Sequence, residues 1–242
     1  MIATQNELHP LRHALALATA AGPKGVLAFD LDSTLFDNRP RQVVILREFG
    51  VARNVPALAE HRAEHWKSGW DMLGAMVRAG MPQAEAEALY EDAKQFWRER
   101  FFTSAYCVHD VQLAGAAAFM NLVLQTQARV AYVTGRHEEM RAGTVEAMRK
   151  EGLPLPDDAR VHLIMKPTVD MDDDAFKREA HAQLRALGTV VAAFDNEPTH
   201  ANDYKKNFPE AFVVRLATDH SGRPYELREG VVEVPDFVVP AP

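Results

Sequence analysis

The sequence predicts an α/β protein built on a doubly wound parallel sheet, and three observations carry that reading. Short apolar runs without polar alternation recur at residues 26–29, 130–133, 161–165, 190–194 and 211–214, as in strands buried on both faces. Stretches with helical spacing separate the later runs, which implies strand–helix units joined by right-handed crossovers. Four of the runs end in polar residues: Asp30 and Asp32, then Thr134 and Gly135, then Lys166, then Asp195. Ligands gather beyond the carboxyl ends of strands in such sheets, so these residues are expected to share one rim.

The elements follow in order. Residues 14–21 are apolar and stop at Gly22 and Pro23, as in an amphipathic surface helix. The segment is too short for a membrane span, and a signal peptide cleaved there would leave almost no leader to the first strand. After Asp30, Asp32, Ser33 and Thr34, Asn38 and Pro40 resemble an N-cap and a first helical turn. From there to about residue 102 only helices are expected. One covers 43–49 and stops at Gly50, one follows Pro56, one spans 70–79, and one begins at Pro82 with Leu89, Ala93, Phe96 and Trp97 on one face. Trp66, Trp70 and Trp97 all fall in this segment, which suggests a helical insert with its own aromatic core.

Beyond residue 111, Leu113, Ala117, Met120 and Leu124 mark a helix face ahead of the second strand. A helix over 138–151 closed by Gly152 leads to the third strand. Asp172, Asp173 and Asp174 open a helix that carries Lys177 and runs to Gly188, before the fourth strand and Asp195, Asn196 and Glu197. A fifth strand spans 211–214, and the proline-punctuated tail from Ser221 is expected to be irregular or an edge.

Composition narrows the function. The chain of 242 residues is 47% hydrophobic and 25% charged, which suits one large domain or a core with an insert. A net charge of −7 without a basic stripe disfavours nucleic acid as the main partner. Cys107 is the only cysteine, so no internal disulfide forms, and a cytoplasmic location is expected.

Unpaired carboxylates at the end of a buried strand are costly unless they hold a metal or do chemistry. Acids from the first and fourth strands would form an oxygen-only site suited to Mg2+. The Thr134 hydroxyl and the Gly135 N–H, read as the start of a helix, would donate to phosphate oxygens. A nearby lysine would offset phosphoryl charge. One carboxylate can attack phosphorus while the other handles protons, and Asp30 and Asp32 fit those roles.

These residues resemble the motifs of the haloacid dehalogenase superfamily. Asp30, Asp32 and Thr34 match its DxDxT motif, Thr134 and Gly135 its Thr/Ser motif, Lys177 its lysine motif, and Asp195 its acidic motif. The resemblance implies a Rossmann-like core over 1–36 and 110–242, with a helical cap over 37–109. It implies a phosphatase that works through an aspartyl-phosphate intermediate on a small phosphorylated metabolite, since a lid would obstruct bulky substrates. In that scheme Asp30 is the nucleophile and Asp32 the general acid/base. Asp30, Asp195 and the Asp32 backbone carbonyl hold Mg2+, Thr134 and Gly135 bind the phosphoryl group, and Lys177 steadies nucleophile and phosphate. An acid at position 32 favours phosphoryl transfer over dehalogenation. A phosphomutase or phosphotransferase, or an inactive binding protein, are the alternatives.

The sequence departs from the pattern at two places. A second acid usually accompanies the last motif, but Asn196 and Thr199 stand there, leaving Asn196 or Glu197 to hold a metal-bound water. Lys166 ends its strand and competes with Lys177 as the motif lysine, although spacing favours Lys177. His61, Glu64 and His65 spell an HxxEH pattern, but no third zinc ligand accompanies them. The acids at 170–174 lack the glycine and terminal glutamate of a calcium loop and suit a helix's first turn. Arg136 reaches either the substrate or Glu138 and Glu139.

Overall fold

The computed structural model describes residues 9–240. The chain forms two compact units: residues up to Phe36, Gln112–Glu138 and from Met148 onward, and separately Asp37–Val111 with Glu139–Ala147.

The first unit is built on six strands: β1 (Gly25–Phe29), β4 (Arg129–His137), β5 (Val161–Lys166), β6 (Thr189–Asp195), β7 (Phe212–Leu216) and β8 (Val231–Val234). Their order is β5-β4-β1-β6-β7-β8, and every pairing is parallel. The chain leaves β1 for β4 on one side and returns to β6 on the other, so strand order reverses at β1. Two short strands, β2 (Phe36–Asp37) and β3 (Val111–Gln112), form a separate small sheet.

Both faces of the main sheet are covered, which is why every residue of β1 is buried. Val26 and Ala28 pack with Phe176, Ala180 and Leu184 of α9 (Asp173–Leu187) and with Ala201 and Tyr204 of α10 (Pro198–Asn207). On the opposite face Phe29 stacks on Phe194 at 4.6 Å. Phe119 of α7 (Ala116–Gln125) meets Phe194 edge-on at 5.6 Å, and Phe237 joins them. The first helix, α1 (Pro10–Ala21), ends at Gly22 as expected.

Several local expectations are corrected. The α7 face turned inward is Ala116, Phe119, Met120 and Val123, shifted from the one anticipated. The run at 130–133 does not stop at Thr134, since β4 continues to His137. Its register breaks between Thr134↔Met165 and His137↔Lys166, so Gly135 and Arg136 form a bulge. Gly135 therefore lies in a strand rather than at a helix start; a short 3-10 turn and α8 (Arg141–Glu151) come later. The tail supplies the edge strand β8.

The second unit holds α2 (Arg39–Ala52), α3 (Pro56–Ala59), α4 (Met72–Arg78), α5 (Gln83–Phe101) and α6 (Ser104–Cys107), with the start of α8. Val43, Leu46, Phe49, Trp66, Met72, Met76, Ala86 and Ala93 form its core, with Phe96 and Trp97 packed against it. Trp70 is outside that core and 70% exposed, because α4 begins only after its N-cap Asp71. Gly50 does not end α2. It sits inside the helix because a Cβ there would lie 2.5 Å from the Ala59 backbone nitrogen. Asn38 precedes α2 without capping it; its amide instead bonds Asp110, which also forms a fully buried ion pair with Arg41. His61 lies ahead of a one-turn 3-10 helix, Ala63–His65, so the two histidines do not share an α-helical face. Their Nδ1 atoms are 3.4 Å apart.

Candidate active site

The site grows from the reversal of strand order at β1. Asp30 follows β1 and its N–H donates to the Phe194 carbonyl of β6, which draws the two strand ends together. Asp195 is the last residue of β6. Lys177, one turn into α9, extends its Nζ between them, at 2.5 Å from Asp30 Oδ1 and 3.0 Å from Asp195 Oδ2. The same Nζ donates to the Val133 carbonyl at 2.7 Å, just before Thr134, so the end of β4 joins the cluster. All three charged side chains are at most 9% exposed.

Burial fixes the electrostatics. Desolvation is the main force on Asp30; with the like charges of Asp195 and Asp32 it outweighs Lys177 and pushes the carboxyl up to about 7. Asp195 moves the other way. Its burial is overcome by Lys177, His200 and the Glu197 N–H, which hold it below the usual carboxylate range. Lys177 is raised despite its burial, because Asp195 and Asp30 favour the ammonium.

Asp32 stands two residues on, in a loop tied by Ser33 N–H to the Phe36 carbonyl at 2.8 Å. Its carboxylate meets Arg136 from the β4 bulge: Nη2 is 2.7 Å from Oδ1, and Nε is 3.0 Å from Oδ2. Arg136 thus has a partner that the sequence reading did not consider. Thr34 is fully buried and exchanges hydrogen bonds with Asn196, accepting from its N–H at 3.0 Å and donating to its Oδ1 at 3.1 Å.

Thr134 is buried at the β4 end, and its Oγ1 accepts from the Arg136 N–H at 3.2 Å. Gly135 sits against Asp173, whose carboxylate would lie 3.1 Å from a Cβ at that position. Lys166 reaches the same Asp173 at 2.6 Å, apart from the Asp30–Asp195 pair. The geometric ambiguity between the two lysines ends there: Lys177 joins the carboxylates and Lys166 does not.

The residues after Asp195 serve the surrounding loops. Asn196 donates its amide to the Asp219 carbonyl, and both Glu197 carboxylate oxygens accept from Ser221. These bonds tie Asn196 and Glu197 to the loop at 219–221. Thr199 keeps a buried hydroxyl without a protein partner.

One residue escaped sequence reasoning altogether. His200, in the first turn of α10, has Nδ1 3.5 Å from Asp195 Oδ1 and Nε2 2.9 Å from Asp174 Oδ1. Arg223 holds the other oxygen of Asp174 at 3.0 Å. Burial would lower His200, but Asp195 and Asp174 outweigh it and raise the imidazole to about 9. Asp174 is therefore more than a helix-dipole acid. The only signal for His200 was its place a few residues after the strand-terminal acid.

The donor set suits a hard cation. Two buried carboxylates share one ammonium, and burial together with the like charges of Asp195 and Asp32 raises Asp30 despite Lys177. Oxygen donors with surplus negative charge fit Mg2+. Among the described residues no three His, Cys, Asp or Glu side chains gather into a metal site, so a backbone carbonyl or water would complete the shell.

Sheet and site together define an α/β protein with a lysine-bridged carboxylate pair at the point of strand reversal. No family model matches the sequence, nor does any curated protein. Solved structures do resemble it. CbbY from Rhodobacter sphaeroides, solved with phosphate, is 15% identical with a TM-score of 0.51, over 88% of this chain and 94% of its own. Protein Tyrosine Kinase A of Mycobacterium tuberculosis is 16% identical, with a TM-score of 0.54 over 88% and 93%. A dehalogenase solved as an intermediate complex is 14% identical, with a TM-score of 0.52 over 89% and 95%. The chain has the fold of the haloacid dehalogenase superfamily. Among the described residues no helix is long and apolar enough to cross a membrane.

Proposed function

We propose that the protein is a Mg2+-dependent phosphatase that hydrolyses a small phosphorylated metabolite in the cytoplasm. The observation that carries this reading is the Lys177 ammonium bonded to both Asp30 and Asp195, with Asp32 alongside. A carboxylate beside a fixed cation, with a second carboxylate two residues on, can carry out two-step phosphoryl transfer.

In the first step an Asp30 oxygen attacks phosphorus, the P–O ester bond breaks, and protonated Asp32 gives its proton to the departing oxygen. In the second, water attacks the phosphorus of the Asp30 acyl phosphate and Asp32 takes the water's proton. The P–O bond to Asp30 then breaks and phosphate leaves. Lys177 holds Asp30 in place and offsets charge. The Thr134 hydroxyl and the Gly135 N–H are proposed to receive phosphoryl oxygens. Mg2+, held by the Asp30 and Asp195 carboxylates and the Asp32 backbone carbonyl, would neutralise phosphoryl charge when bound.

The residues of the second unit are read as a cap. The small-substrate class agrees with one structural neighbour: CbbY has also been solved with xylulose-(1,5)bisphosphate, at 16% identity and a TM-score of 0.50.

Inorganic phosphate released from a panel of phosphorylated metabolites, with Mg2+ and with EDTA, tests the reading. Wild type should release phosphate only with Mg2+, and Asp30→Asn should fall by about 10^4-fold or more. Turnover that persists in Asp30→Asn would defeat the nucleophile assignment. Phosphate transferred to a second metabolite instead of released would select a mutase or transferase.

A further inference from the structure

Among Asp30, Asp32 and Asp195, Asp32 alone keeps an open side. Its side chain is 34% exposed, whereas the Arg136 side chain that grips it is 2% exposed. The grip is two-pronged, with Nε 3.2 Å from Oδ1 and 3.0 Å from Oδ2 and Nη2 2.7 Å from Oδ1. The guanidinium is itself held from another direction, its central carbon 5.2 Å from the centre of the Phe36 ring. Backbone geometry supports both partners. Arg136 projects from the β4 bulge, while the Asp32 loop turns through Ser33 at φ 58° and returns to Leu31 through the Phe36 N–H.

We propose that Arg136 is a positioning residue for Asp32, its planar fork fixing the plane of the carboxylate so that its solvent-exposed side faces the departing group. The inference rests on the phosphatase reading and deepens it. Two other roles for a buried arginine beside a phosphate site make different predictions. A simple counter-ion needs only its charge, which lysine would replace; a substrate ligand would act on binding of every phosphate ester alike. A fork that sets a carboxylate plane is lost on going to lysine, whose ammonium is a point charge.

Leaving-group dependence separates these roles. kcat/KM reports transfer to Asp30, the step in which Asp32 donates its proton. p-Nitrophenolate departs without a proton, but an alkoxide does not. The ratio of kcat/KM for p-nitrophenyl phosphate to that for an alkyl monoester, such as glycerol 2-phosphate, therefore measures how well the acid works.

The experiment compares wild type, Asp32→Asn, Arg136→Lys, Arg136→Gln and Asp32→Asn/Arg136→Lys. Loss of the acid should raise the ratio by about 10^2- to 10^4-fold. Both Arg136 variants should raise it by at least about tenfold while aryl hydrolysis changes little, and the double variant should show no larger ratio than Asp32→Asn alone. If Arg136→Lys keeps the wild-type ratio, or both variants lose the two substrates in equal proportion, the proposal is overturned while the phosphatase reading stands. An unchanged ratio in Asp32→Asn would remove the acid assignment and the Arg136 role with it. A wild type silent toward both esters and the metabolite panel would overturn the phosphatase reading itself, and the inference falls with it.

Discussion

Replacing Lys177 by Met tests the core of the site without reference to activity. The substitution keeps most of the side-chain volume but removes an ammonium bonded to two carboxylates, Asp30 at 2.5 Å and Asp195 at 3.0 Å. Both carboxylates are buried, so water cannot replace the lost partner, and removing one member of a buried pair costs about 3–5 kcal/mol. For a domain of this size that corresponds to roughly 6–20 °C in Tm. Lys166→Met is the matched control. Its partner Asp173 has a side chain 57% exposed, so the loss should stay within about 1 kcal/mol. The penalty in Lys177→Met should also grow with pH. In acid one of the facing carboxylates takes a proton and their repulsion disappears, whereas at pH 8 both are driven to ionise. Urea denaturation of both variants at pH 5 and pH 8, in EDTA, measures this. Equal stability of the two variants, or a Lys177→Met penalty that shrinks toward pH 8, would refute the bridging geometry.

Two further outcomes are expected. His200 is raised from 6.5 to about 9, so its contribution is complete below pH 6.5 and is lost as pH rises through 9. Metal-free protein should lose about 3 kcal/mol over that window, and His200→Asn should flatten the urea-derived profile; parallel profiles would count against the pairing. In the second unit, Asp110→Ala strands a fully buried Arg41 and should cost about 3–5 kcal/mol by chemical denaturation, and a cost below 1 kcal/mol would show that the pair is not buried in solution.

The parallel sheet was legible because its strands are enclosed on both faces, which forces unbroken apolar runs that helices do not need. Detail failed where tertiary contact overrode local pattern. Gly50 reads as a helix stop, yet the close approach of Ala59 demands a glycine within α2. Trp70 reads as core by composition, but it precedes the N-cap Asp71 and stays exposed. The edge strand β8 has half-buried residues, and its pattern is correspondingly weak. In the site, the ends of β1 and β6 gave Asp30 and Asp195 directly. The same logic could not separate the lysines: Lys166 does end a strand, but it turns to Asp173, whereas Lys177 reaches the carboxylates from a helix. The bond from Arg136 to Asp32 and the place of His200 were beyond reach, since one depends on a bulge and the other on how α10 docks.

The place of His200 bears on the missing second acid. Asp195 is flanked by Lys177 and His200, and it is held ionised. Asp30 shares Lys177 with Asp195, has Asp32 as a like-charged neighbour, and is pushed up to about 7. Another carboxylate at position 196 or 199 would add repulsion to a cluster already short of positive charge; a histidine at 200 supplies some of that charge instead. It does so on the far side of Asp195, so the deficit stays on Asp30. The carboxylate proposed to attack phosphorus is therefore the one whose ionisation depends most on an added cation. In the proposed reaction that dependence would make Mg2+, with Asp30 and Asp195 as its proposed carboxylate ligands, the partner that keeps the nucleophile ionised.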